Sequence, residues 1–78
     1  MAVLPASQGR GIGAELVGRL EESLRARGQR VLIVDTSSSD EFAATRRFYK
    51  ANGYTEEARI RDYWDAGDDK IVFWKSLS

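Results

Sequence analysis

Ala2-Val3-Leu4-Pro5-Ala6-Ser7-Gln8-Gly9-Arg10-Gly11-Ile12-Gly13-Ala14 is the stretch on which the reading of this chain turns. Ala2-Val3-Leu4 reads as the end of a strand, closed by Pro5. Glycines at 9, 11 and 13 then alternate up to the start of an amphipathic pattern. Without a Cβ, glycine lets the backbone turn tightly and approach a ligand closely. The first N–H groups of the helix that follows have no partner within it, and its dipole adds partial positive charge. Together they form an anion site suited to a pyrophosphate, to which Arg10 could add a side-chain charge. A turn without a ligand is the plainer reading, but three alternating glycines exceed what a turn requires.

Downstream, apolar residues fall at Ile12, Leu16, Val17, Leu20 and Leu24, one stripe of a helix. Glu15–Arg19 and Glu21–Arg25 are (i, i+4) pairs expected on its solvated side. Gly28 stands where a left-handed residue would end it. Val31-Leu32-Ile33-Val34 predicts a strand covered on both faces. Ser38 and Glu41 match a capping box that would open a second helix. That helix presents Phe42, Thr45, Phe48 and Tyr49 to one side and stops at Gly53. Tyr54 to Trp64 reads as a long strand near a sheet edge. Asp65-Ala66-Gly67-Asp68-Asp69 is a turn, and Ile71-Val72-Phe73-Trp74 an inner strand. The expectation is one α/β domain over residues 1–78, with a mixed sheet and the order β-α-β-α-β-β.

Composition narrows the chemistry. Twelve basic residues balance twelve acidic ones, so no basic footprint points to nucleic acid or a membrane surface. Cysteine and histidine are absent, which excludes a thiolate nucleophile, a disulfide framework, a zinc ribbon and the usual general base. Catalysis would rest on carboxylates, Tyr, Ser, Lys or backbone groups. No apolar run approaches a membrane span and no secretory signal is visible, so the expected address is cytoplasmic.

Gly9-x-Gly11-x-x-Ala14 also fits a loose dinucleotide fingerprint, with Asp35 about 20 residues on. In that fold the first glycine follows a buried strand almost directly, whereas Pro5-Ala6-Ser7-Gln8 intervenes here. The chain instead resembles the GCN5-related N-acetyltransferase superfamily. Its cofactor motif, Gln/Arg-x-x-Gly-x-Gly/Ala, is met by Gln8-Gly9-Arg10-Gly11-Ile12-Gly13, with Val3-Leu4-Pro5 as the lead-in. A second motif, aromatic-Tyr, three residues, then Gly-aromatic, appears as Phe48-Tyr49-Lys50-Ala51-Asn52-Gly53-Tyr54. Either motif alone is weak; together, with one strand between them, they are specific.

The resemblance implies the C-terminal, cofactor-holding half of the acyl-CoA N-acyltransferase fold, with acetyl-CoA as cosubstrate and an amine as acceptor. The backbone of Gln8, Gly9, Arg10, Gly11, Ile12, Gly13 and Ala14 would cradle the pyrophosphate. Val3 would pair its backbone with the pantetheine arm, in a splay between the first two strands. Tyr49 would be the general acid that reprotonates the leaving thiolate, a role suited to a phenol of pKa about 10. The plainer reading of Tyr49 is an aromatic packing on the sheet beside Phe48. Phe42 and Thr45 depart from the family's usual Asn and Ala, suggesting a second helix that contacts cofactor or substrate differently.

Asp35, Asp40 and Glu41 are candidate bases; helix capping is the favoured reading of the last two, and Asp35, at a strand end, is the better candidate. Asp62, Asp65, Asp68 and Asp69, with Tyr63 and Trp64, could draw a cationic amine or simply form a solvated turn. The family's N-terminal portion, which supplies much of the acceptor site, would precede Met1. Alternatives are therefore a non-catalytic acyl-CoA-binding or assembly module, or a remnant without ligand. A chain this short buries only about 60% of its unfolded surface, and an unpaired first strand invites pairing. A homo-oligomer, most simply a dimer, or union with a separate N-terminal half is expected.

Overall fold

The computed structural model describes residues 1–6 and 13–78. Its elements are β1 (Ala2–Pro5), α1 (Ala14–Ala26), β2 (Val31–Ser37), a 3-10 turn (Asp40–Phe42), α2 (Ala43–Ala51), β3 (Thr55–Asp65) and β4 (Asp68–Ser76). The four strands form one mixed sheet in the order β1-β2-β4-β3. β1 runs parallel to β2, while β4 is antiparallel to both β2 and β3. The expected order and the mixed sheet are both present, with β3 at an edge and β4 inside. A sheet with antiparallel members is not the parallel sheet of a dinucleotide fold.

Both helices lie on one face. Val17 of α1 and Tyr49 of α2 join Leu32, Val34, Ile71 and Phe73 of the sheet in a single buried cluster with Tyr54 and Leu77. Ala2 and Leu4, level with Leu32 and Val34 in the parallel register, pack against it. The opposite face carries Val3, Ile33, Val72 and Trp74, which alternate with the core residues, and no described element covers it. The expectation that β2 is covered on both faces therefore fails: its residues alternate between buried and half-buried. The continuous aliphatic run reflects one core face and one face that is apolar yet open.

The helices end as their glycines require. Gly28 has φ +84°, and the Gln29 and Gly28 amides donate to Leu24 and Arg25 carbonyls at 3.0 Å each. Gly53 at φ +88° ends α2 likewise, with the Tyr54 amide reaching the Tyr49 carbonyl at 3.0 Å. These are the paired bonds of a left-handed C-terminal cap. The start of α2 differs from expectation, because no side chain caps the 3-10 turn. Ser38 Oγ instead accepts from the Asp69 amide at 2.8 Å, tying the β2–α2 connection to the hairpin. Arg46 holds that connection from the other side, donating to the Ser37 and Ser39 carbonyls at 2.7 and 2.8 Å.

Candidate functional site

Gln8, Gly9, Arg10, Gly11 and Ile12 lie outside the described residues, and with them most of the expected phosphate loop. Its C-terminal flank is described. Gly13 is the N-cap of α1, in extended conformation and with no side-chain cap bond. Its carbonyl accepts from the Val17 amide at 3.2 Å. The N-cap glycine offers the opening amides of this thirteen-residue helix no side-chain partner, and an anionic group is one that such amides can take. Glu15, the acidic residue of this first turn, is neutralised by Arg19 at 2.8 Å.

On the other side of this segment, Val3 sits in β1 level with Ile33. The Ala6 amide donates to the Asp35 carbonyl at 2.9 Å, so β1 and β2 stay paired to that point and no splay opens before it. The alternation of the parallel ladder then turns the Val3 N–H and C=O to the outer edge of β1. Among the described residues no strand pairs with those groups, and an extended chain can add to such an edge by backbone pairing.

Tyr49 is 1% exposed. It sits edge-on to Phe48 at 5.2 Å and to Tyr54 at 5.1 Å, and stacks on Phe73 at 6.0 Å between centroids. Burial pushes its phenol pKa up from the ordinary value. The group is therefore a proton holder throughout the neutral range, packed as firmly as a core residue. This is the position of the plainer reading, an aromatic packed on the sheet beside Phe48.

Glu21 overturns the expectation of a solvated Glu21–Arg25 pair. It is buried and accepts from the Tyr54 hydroxyl at 2.6 Å and from Lys75 Nζ at 3.1 and 3.2 Å. Lys75 also donates to the Asn52 carbonyl at 2.9 Å and lies 5.1 Å from the Tyr54 ring centroid. Arg25 turns to the Leu77 carbonyl. Burial first, then the Glu21 hydrogen bond and charge, raise the Tyr54 pKa. The signal was present in the spacing: Val17, Glu21 and Leu24 share one helical stripe. Charge alone placed Glu21 in solvent, because its partners Tyr54 and Lys75 lie far along the chain.

The candidate bases separate. Asp35 projects to the open face, opposite the core side chains Val34 and Thr36, and pairs with Lys70 at 3.2 Å. It thus stands across the sheet from Tyr49. Asp40 and Glu41 lie exposed in the 3-10 turn. The hairpin carboxylates close their own turn. Asp62, at φ +56°, accepts from the Gly67 amide at 2.9 Å, and Asp65 from the Ala66 amide at 2.7 Å. Asp68 accepts from the Ser37 hydroxyl. Asp69 accepts from the Asp62 amide at 2.9 Å and from Arg59 at 2.6 Å, contacts that lower its pKa. Trp64 donates its indole N–H to the Thr36 carbonyl at 3.0 Å, and Lys70 lies 4.5 Å from the Tyr63 ring centroid. Among the described residues no group of acidic side chains could hold a metal, and no helix is long and apolar enough to cross a membrane.

A family profile described as the acetyltransferase (GNAT) domain matches residues 1–56. Among solved structures, a GNAT-family acetyltransferase from Desulfovibrio desulfuricans is 35% identical, with TM-score 0.84 over 91% of this chain and 45% of its own. An acetyltransferase from Salmonella typhimurium, solved with its cofactor acetyl-CoA, is 25% identical, with TM-score 0.73 over 92% of this chain and 42% of its own. The ribosomal-protein-S18-alanine N-acetyltransferase of Escherichia coli is 27% identical, with TM-score 0.72 over 91% of this chain and 46% of its own. The chain thus spans less than half the length of these relatives. No curated protein matches it by sequence.

Proposed function

This chain belongs to the GNAT acetyltransferase family, and from that premise we propose that it binds acetyl-CoA and serves acetyl transfer to an amine. The observation that carries the proposal is the family match over residues 1–56, which takes in both the glycine-rich stretch and the Tyr49 helix. The start of α1 supports it, since its N-cap is a glycine with no side chain to offer and a phosphate would suit the amides that open the helix.

In this proposal acetyl-CoA supplies an acetyl group activated as a thioester. The amides from Gln8 to Ala14 hold the pyrophosphate, whereas Val3, whose N–H and C=O face away from β2, is not placed to pair with an arm lying between β1 and β2. Tyr49 holds a proton on its phenol oxygen and gives it to the departing sulfur as the amine takes the acetyl group. Its raised pKa keeps that proton in place at working pH. Packing among Phe48, Tyr54 and Phe73 fixes the ring. The base and much of the acceptor site belong to a further portion of structure, a separate N-terminal half or another copy, and the cytoplasm is the proposed place of action. A second reading, an acyl-CoA-binding module without turnover, is favoured by Asp35, a candidate base that stands across the sheet from Tyr49 and pairs with Lys70.

Calorimetric titration with acetyl-CoA and CoA, on wild type and Gly11→Glu, tests the proposal. Saturable binding to wild type and its loss in the variant are expected, because a carboxylate at that position would repel the phosphates. A folded wild type that binds neither compound overturns the reading. Release of CoA on adding amines separates the enzyme from the binding module.

A further inference from the structure

Asp35 is the one carboxylate on β1 or β2, level with Pro5 where β1 ends. The glycine-rich stretch follows in sequence directly after Ala6, whose amide is bonded to the Asp35 carbonyl. On the open face the Asp35 carboxylate holds an amine: Lys70 Nζ stands 3.2 Å from it and 4.5 Å from the Tyr63 ring centroid. No described element covers that face, so a donor can reach the amine from it. The other two lysines of the chain stand elsewhere. Lys75 is held by Glu21 and the Asn52 carbonyl. Lys50 lies on the last turn of α2, 3.6 Å from Glu56. Its side chain is 59% exposed, against 17% for Lys70. Lys70 is thus the lysine with a base in contact beside the glycine-rich stretch, while Lys50 is the one that solvent chemistry would reach first.

We propose that Lys70 is an acetylation site of this protein, taking the acetyl group from bound acetyl-CoA. The inference rests on the acetyl-CoA reading above and adds an acceptor that is part of the chain itself. An ammonium must lose a proton before it can attack a thioester, and Asp35 is in contact to take it. The Lys70 nitrogen then bonds the acetyl carbon and the carbon–sulfur bond breaks. The second nitrogen proton ends on the departing sulfur, giving free CoA, and the Asp35 carboxyl returns its proton to water. The product is an uncharged amide, which gives up both the ion pair with Asp35 and the contact with the Tyr63 ring. Acetylation therefore frees the Asp35 carboxylate on the open face.

The test incubates the full chain with acetyl-CoA and follows Lys50, Lys70 and Lys75 by peptide mass spectrometry. Lys70 should be acetylated at least about tenfold faster than Lys50, although Lys50 is the more exposed. Excess CoA should suppress labelling of Lys70 and leave that of Lys50 unchanged, because only the first depends on a bound donor. Asp35→Asn keeps the shape and removes the base, so labelling of Lys70 should slow by about 10²-fold with Lys50 unaffected. A carboxylate that merely paired with Lys70 would give the opposite sign, since its loss leaves a freer amine. Labelling of Lys50 ahead of Lys70, labelling of Lys70 that excess CoA does not suppress, or an Asp35→Asn rate equal to or above wild type overturns the inference. A chain that binds acetyl-CoA in calorimetry and stays unlabelled at Lys70 overturns it as well. A folded chain that binds no acetyl-CoA overturns the parent reading instead, so the two failures are distinguishable.

Discussion

Tyr49 is a core aromatic to which the proposed function also assigns chemistry. The ring belongs to the core, and the same burial that packs it holds its proton. Replacement by Phe keeps the ring and removes the oxygen. Tyr49→Phe should therefore bind CoA within about twofold of wild type and, in an assembly that turns over, lower kcat by about 10²–10⁴-fold. Calorimetry and CoA release measure the two effects; a variant with undiminished kcat assigns the proton to another group. The folded-state pKa lies above the ordinary phenol value of about 10, so the proton is retained at every lower pH. Any alkaline fall in kcat due to Tyr49 should begin only above pH of about 10, and the stability it contributes is complete below that pH. That contribution is lost as the pH rises through the raised folded value.

At the scale of elements, Glu21, Tyr54 and Lys75 join α1, the end of α2 and β4 through one polar knot. Glu21→Ala leaves the Lys75 ammonium and the Tyr54 hydroxyl without their partner. The expected cost is about 2 kcal/mol, below that of a fully buried pair because Lys75 keeps some contact with water. In so small a domain this lowers the melting temperature by roughly 8–16 °C. Calorimetric melting of Glu21→Ala, Lys75→Met and the double variant measures the coupling; additive effects would show that the knot does not act as a unit. Removing the Glu21 charge should also bring the Tyr54 pKa down, visible in its phenolate absorbance. The family signature at Gly53-Tyr54 was legible in the sequence, but the role of Tyr54 was not. Its partner lies 33 residues away, and local periodicity carries no record of such a pairing.

Across the whole molecule, the two faces of the sheet are unequal. One bears both helices and the buried cluster; the other bears Val3, Ile33, Val72 and Trp74 with no described element over them. β1 adds an outer edge with backbone groups to pair. Self-association, most simply a dimer, is the expected outcome when the chain stands alone, because covering this surface removes apolar area from water. Sedimentation at micromolar concentration should find a species heavier than the monomer. A purely monomeric, folded protein there overturns the expectation and leaves the open surface to a separate partner.

The sequence by itself determined the order of the elements, the edge position of β3, the inner position of β4 and the left-handed ends at Gly28 and Gly53. Each follows from signals confined to a few neighbouring residues: apolar period, turn glycines and strand composition. The paired motifs around Gly11 and Tyr49 were legible for the same reason. Tertiary structure decided what depends on residues distant in the chain. It brought Glu21 inward, gave Ser38 to the hairpin amide of Asp69, turned Asp35 away from Tyr49 and left one face of β2 open. Local periodicity reports which side of an element is apolar. Only packing decides what meets that side, and whether a charged residue within it finds a partner.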